Sequence, residues 1–208
     1  MQIPFPVPVP RWQPLDLAGA DVSLLDDFLS RFDADTALAS LRGDVNWRQD
    51  TIKIFGRVHP VPRLQQWFGD PGLSYRWSGI PMAPEPWLPV LTALRDRIEK
   101  ATGKRPNAVL ANWYRNGNDT VGWHADDEPE LGFNPFIASL SLGAARDFVL
   151  RPRVREGRAD VSIPLRHGSL LVMQGSTQTN WLHSLPRRKK VWADRINLTF
   201  RLMPAKPE

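Results

Sequence analysis

His124 and Asp126 stand two residues apart in Gly122-Trp123-His124-Ala125-Asp126. On an extended strand, residues i and i+2 face the same way, so an imidazole nitrogen and a carboxylate oxygen can reach one ion. His183, much later in the chain, is the candidate third ligand. Two imidazoles and one carboxylate on one face of an octahedral ion form the ligand set of non-haem Fe(II) oxygenases, which leaves the other face open. His-x-Asp alone is a weak signal, because a histidine near a turn is more often structural or solvated. The choice of ligands is nevertheless short. The chain has four histidines (His59, His124, His167 and His183) and no cysteine. That excludes disulfides, Cys-ligated zinc and iron–sulfur clusters.

A second pattern lies near the C-terminus, in Arg195-Ile196-Asn197-Leu198-Thr199-Phe200-Arg201. Odd positions are polar and even positions apolar, which is the alternation of a two-faced strand. An ordinary half-exposed strand with solvated arginines gives the same pattern. If the polar face instead lines an interior, its two arginines need anionic partners, since an unpaired buried charge is costly. A dicarboxylate supplies one anionic group for each arginine. Asn112 and Tyr114, again two apart, would add hydrogen bonds from a neighbouring strand.

The elements that must position these groups are legible in outline. The spacing of Leu24, Leu25, Phe28 and Leu29 predicts a short helix capped by Asp21. A second helix is predicted over 35–42, stopped by Gly43, and a longer one over 85–102, stopped by Gly103. Strands are predicted near 45–58, 73–78, 107–114, 121–126, 136–142, 147–152, 159–164, 169–173, 181–184 and 194–202. Helices first and many short strands later indicate an α+β fold, with helices buttressing a β-sandwich or barrel. Residues 1–14, with five prolines, read as an extended arm.

The 208 residues suit one domain, and 42% hydrophobic content excludes a disordered chain. The net charge of +5 favours an anionic partner without saying which. No apolar run approaches the roughly 20 residues of a membrane span, and the N-terminus lacks the features of a secretory signal. The expectation is a soluble intracellular protein, bacterial cytoplasmic or eukaryotic nuclear, and a monomer.

The stretches Asn112-Trp113-Tyr114, Gly122-Trp123-His124-Ala125-Asp126-Asp127-Glu128, Ile137–Ala144, Arg146-Asp147-Phe148, His167–Leu171, His183-Ser184-Leu185-Pro186 and Arg195–Arg201 resemble, in order, the AlkB family of dioxygenases. The resemblance covers roughly residues 50–202 and points to the branch that includes the nuclear DNA-repair enzymes of animals. It implies a double-stranded β-helix, or jelly-roll, over about 105–203. A substrate-recognition segment would span about 45–80, both lying within one dioxygenase domain, 15–208. It implies that His124, Asp126 and His183 bind Fe(II) and that Arg195, helped by Asn112 and Tyr114, pairs with the distal carboxylate of 2-oxoglutarate. Arg201 would lie near the carboxylate that chelates iron, and Asn197 and Thr199 would line the same pocket. The implied reaction uses O2 and 2-oxoglutarate to hydroxylate an N-alkyl group on a base such as 1-methyladenine or 3-methylcytosine. It releases succinate, CO2 and formaldehyde.

A base inside a duplex must be flipped out to be reached. The resemblance makes Ile54 and Phe55 a wedge into the base stack, though a buried hairpin corner would look similar. It makes Tyr75 and Trp77, with Ser78 beside them, an aromatic wall for the flipped base, and Asp127 and Glu128 readers of the base edge. Arg187-Arg188-Lys189-Lys190 reads as a phosphate contact, to which Arg63 and Arg115 would add. Ala125 and Trp77 depart from the branch's pattern, where a larger polar residue and Phe are expected. Two other readings stay open: the same oxygenase chemistry on RNA or protein, and a catalytically silent nucleic-acid-binding jelly-roll.

Overall fold

The computed structural model describes residues 11–54, 56–73, 75–77, 80–82 and 84–204. In chain order the elements are β1 (Gln13–Pro14), β2 (Asp21–Leu25), α1 (Arg31–Asp44), β3 (Thr51–Ile54), β4 (Arg57–Pro60), β5 (Leu64–Gly69), β6 (Tyr75–Trp77) and β7 (Ile80–Met82). Then follow α2 (Pro89–Thr102), β8 (Ala108–Tyr114), β9 (Val121–His124), β10 (Ile137–Gly143), β11 (Arg146–Pro152) and β12 (Val161–Leu165). The last elements are β13 (Leu170–Gln174), α3 (Thr177–Asn180), β14 (Trp181–Leu185) and β15 (Arg195–Arg201).

A large antiparallel sheet has the order β1-β2-β13-β10-β15-β8-β5, and a smaller one the order β12-β11-β14-β9. Their apolar side chains meet in one layer, where Ile137, Leu171 and Met173 of the large sheet pack with Phe148, Leu150, Ile163 and Trp181. Two facing sheets with these crossovers form the expected double-stranded β-helix. The outer face of the large sheet is equally apolar. Val109, Leu140, Leu198 and Phe200 bury against Leu38 and Leu41 of α1 and Leu91, Leu94 and Ile98 of α2. The even residues of β15 therefore serve the helix-side core, and the odd ones are left for the space between the sheets.

Local chemistry explains where the elements differ from expectation. Asp21–Leu25 is a strand, not a helix, and pairs with β13 from Leu25↔Leu170 to Asp21↔Gln174. It is buried on both faces, with Val22 and Leu24 in the inter-sheet layer and Leu25 on the helix side. Apolar residues on both faces of a strand imitate helical spacing. The following helix begins earlier than expected, because Ser30 caps it by accepting from Asp33 N at 3.1 Å, and it continues through Gly43. α2 starts at Pro89, which suits the first helical turn, and ends on Gly103 with φ 70°. Glu85 precedes the helix and bonds by its N–H to Trp67 O at 2.9 Å. The single strand expected over 45–58 is the β3–β4 hairpin. Residues 13–14 of the proline-rich arm pair with β2, and residues 1–10 lie outside the described residues.

Candidate active site

β9 and β14 are adjacent, and their register puts His124 opposite His183. The two imidazoles are 4.2 Å apart between centroids, edge to face. Asp126, just past β9, turns inward, and its backbone N–H donates to Gln178 Oε1 at 3.0 Å. One potential ligand atom from each of His124, Asp126 and His183 lies within 4.8 Å of the others. His124 Nε2 is 3.8 Å from Asp126 Oδ1. On its other side, His124 Nδ1 meets Gly122 O at 2.9 Å. A carbonyl accepts only, so Nδ1 carries the proton and Nε2 presents its lone pair.

The protonation states suit a cation. Burial alone would raise the Asp126 carboxyl, but the Arg201 guanidinium, with His183 and His124, holds it down to about 2. Arg201 Nη2 donates to Asp126 Oδ2 at 2.8 Å. Burial pushes His183 down to about 3, with His124 adding to the effect and Asp126 opposing it. At neutral pH the site thus offers a neutral, buried imidazole and a carboxylate. Phe148 stacks on the His183 ring at 5.1 Å and fixes its plane.

Beside the triad, the inward face of β15 forms one wall of a cavity holding ≈ 540 Å³ of empty space, its mouth included. Register places Arg195 opposite Tyr114, Asn197 opposite Asn112 and Ser141, and Thr199 opposite Ser139. All four odd residues of β15 line this cavity, so the polar face points in rather than to water. Arg195 is 1% exposed, and its Nη2 donates to Ser141 Oγ at 2.8 Å and Asn197 Oδ1 at 2.7 Å. Its Nε and Nη1 have no hydrogen-bond partner among the described residues. Burial pushes its guanidinium down to about 10, Arg146 adds to this, and Tyr114 counters it. It therefore stays charged at neutral pH. A buried cation with unused donors costs several kcal/mol unless an anion meets it. The donor set of the triad fits Fe(II), and the unused donors of Arg195 fit a carboxylate of an oxo-acid.

Other expected site residues fare differently. Arg63 does not lie on a phosphate-facing surface. It is 4% exposed, lines the cavity, and donates to Asn112 Oδ1 at 2.7 Å and Thr120 O at 3.2 Å. Val61, two residues earlier, is buried as well, so the chain turns inward here before β5. Arg115 is held by Asp119 at 2.8 Å and 3.0 Å. Asp127 is exposed and pairs with Arg153 at 2.5 Å, and Glu128 starts the turn over Pro129–Leu131. Phe55 and Ser78 lie outside the described residues; Ile54 falls in β3, and Tyr75 and Trp77 in β6.

Sequence reasoning missed the buried residues Arg146, Ser139, Ser141 and Gln178. The two serines had a signal, since Ile137–Gly143 alternates like β15. Gln178 had none, because its partner is 52 positions away.

The sequence profile of the 2OG-Fe(II) oxygenase superfamily matches residues 21–201. The chain is 44% identical over 201 residues to the DNA oxidative demethylase ALKBH2 of Homo sapiens, covering 92% of this chain and 77% of that protein. It is 44% identical over 194 residues to the alpha-ketoglutarate-dependent dioxygenase alkB homolog 3 of Homo sapiens, covering 89% and 67% respectively. The solved structure of OsALKBH1 superposes with a TM-score of 0.64 at 17% identity, over 92% of this chain and 100% of that one, which shows a shared fold. The chain belongs to the 2OG-Fe(II) oxygenase superfamily and, within it, to the AlkB-like dioxygenases that use Fe(II) and 2-oxoglutarate.

Proposed function

We propose that this protein removes alkyl groups oxidatively from N-alkylated bases in DNA, of the 1-methyladenine and 3-methylcytosine type. The observation that carries the reading is the junction of the His124–Asp126–His183 triad with an arginine-walled cavity. It occurs in a chain 44% identical to a DNA oxidative demethylase. Bound Fe(II), with O2 and 2-oxoglutarate, supplies the oxidising power that hydroxylates the N-alkyl carbon. The N-hydroxymethyl base then loses formaldehyde, the C–N electron pair returns to the ring nitrogen, and the cosubstrate leaves as succinate and CO2.

The residues of this chain bind and orient. His124, Asp126 and His183 hold the metal. Arg195, Tyr114 and Asn112 receive the distal carboxylate of 2-oxoglutarate. Arg201 holds Asp126 ionised beside the chelating end, and Asn197 and Thr199 line the space between. Ile54, the last residue of β3, and Phe55 act as the wedge in a duplex, which the exposure of all of β4 supports. Tyr75, Trp77 and Ser78 form the wall for the flipped base, with Asp127 and Glu128 at its edge. Arg187, Lys189 and Lys190, all exposed, meet phosphates. The protein works as a monomer within the cell. Among the described residues, no helix is long and apolar enough to cross a membrane.

The test is incubation of a duplex oligonucleotide bearing one 1-methyladenine with the protein, Fe(II), 2-oxoglutarate and ascorbate, followed by mass spectrometry. Loss of the methyl group with release of formaldehyde supports the reading. Succinate formation without repair, in a parallel assay where methylated RNA is demethylated, moves the substrate to RNA.

A further inference from the structure

Arg146 opens β11, on the sheet opposite Arg195, and alternation with Phe148 and Leu150 turns it into the inter-sheet space. It is 3% exposed. Its Nη1 donates to Asn116 O at 3.2 Å, and its Nη2 to Asp119 O at 3.0 Å and Pro186 O at 2.8 Å. These acceptors are neutral carbonyls. The carboxylates nearby bond other arginines, Asp119 to Arg115 at 2.8 Å and Asp147 to Arg188 at 2.7 Å, and act on Arg146 only through space. Nε of Arg146 has no hydrogen-bond partner among the described residues.

Its other neighbour is the cosubstrate pocket. The Arg146 guanidinium is 6.0 Å from the centroid of the Tyr114 ring, and that of Arg195 is 5.4 Å from the same ring. Two buried guanidiniums thus stand close to one phenol ring of the cavity wall. A neutral amide could serve two of these three carbonyls without the several kcal/mol of ion desolvation, so the clip alone does not account for the charge. Like charges this close also repel. Both costs are recovered when the pocket takes a ligand that carries negative charge beside this ring.

We propose that Arg146 is a positioning residue for the cosubstrate: from behind Tyr114, without touching the ligand, its charge makes the pocket select an oxo-acid with a second carboxylate. The proposal rests on the reading of Arg195 as the partner of that carboxylate. The surrounding loops are built tightly enough to hold it there. Gly117 N donates to Val191 O at 2.7 Å and Arg188 N to Gly117 O at 2.8 Å. A Cβ on Gly117 would lie 1.8 Å from Arg188 O, so only glycine allows this approach.

The experiment is calorimetric binding to the full chain loaded with Mn(II), which cannot turn over. Two ligands are compared: 2-oxoglutarate, and 2-oxobutyrate, which keeps the oxo-acid and lacks the distal carboxylate. Arg146→Gln is expected to weaken 2-oxoglutarate about tenfold and leave 2-oxobutyrate within twofold, whereas Arg146→Lys retains most of the discrimination. Equal weakening of both ligands, or no change in either, overturns the proposal. So does an Arg146→Lys variant that loses the discrimination while folded, which keeps the test decisive if Arg146→Gln does not fold. Arg195→Met separates the two levels. If it abolishes discrimination and Arg146→Gln does not, the role of Arg146 falls alone. If Arg195→Met leaves discrimination intact, the underlying reading of Arg195 falls.

Discussion

Arg63 Nε donates to Asn112 Oδ1 at 2.7 Å, joining the stretch before β5 to the wall of the arginine-lined cavity. A guanidinium only donates, so the bond settles which side of the Asn112 amide is oxygen and leaves its NH2 group for other partners. The contact connects the stretch before β5 to the arginine-walled cavity beside the triad through one side chain.

Arg63→Met should therefore act on the cosubstrate. A charge-assisted hydrogen bond is worth about 1.5–3 kcal/mol, so the KM for 2-oxoglutarate should rise roughly tenfold or more. Affinity for undamaged DNA, measured by anisotropy, should change little. A large loss of DNA affinity with unchanged KM would return Arg63 to the phosphate-facing role.

Arg201→Met removes the guanidinium from Asp126 and leaves a buried carboxylate. Breaking such a pair costs about 3–5 kcal/mol. The Asp126 carboxyl should move up from about 2, since burial then acts with less opposition. The expected outcome is a lower Tm and weaker Mn(II) binding by electron paramagnetic resonance. Wild-type metal affinity in this variant would contradict the pairing.

The metal-free protein should lose stability in mild acid through His183. Its folded pKa lies near 3, below its ordinary 6.5, so between these values the unfolded chain binds the extra proton. The contribution is complete above about pH 6.5 and is lost as pH falls towards 3, with a slope of up to about 1.4 kcal/mol per pH unit. Urea titrations at pH 7.5 and 5.0 read this difference. His183→Gln should shrink it, and an unchanged difference would show that His183 is not held neutral.

Phe55→Ala should impair repair of a lesion in a duplex several-fold more than repair of the same lesion in a single strand, because only the duplex has a stack to open. Rates on both substrates, taken below saturation, give the ratio. Equal losses would remove the wedge from the account.

The parts legible in the sequence were those governed by short periods. The alternation in β15 left two readings, and burial of both arginines decides between them. His124 and Asp126 were visible as an i, i+2 pair, whereas His183 needed the β9–β14 register, which no local pattern encodes. Asp21–Leu25 misled because a strand covered on both faces spaces its leucines like a helix. β5 was missed since Gln65 and Gln66 break its apolar run. Both are buried, with Gln65 bonded to Asp50 Oδ2 at 2.7 Å and Gln66 to Asn46 O at 3.0 Å. Arg146 and Arg63 look like surface arginines in sequence. Only the tertiary fold brings carbonyl and amide acceptors to these two guanidiniums.

The most direct measurement is the crystal structure of the anaerobic protein with Fe(II) and 2-oxoglutarate, with anomalous data collected at the iron edge. One iron peak bonded to His124, Asp126 and His183 is expected, with a dicarboxylate whose far end meets Arg195 and Tyr114. An iron peak elsewhere, or a cosubstrate lying away from β15, would contradict this arrangement.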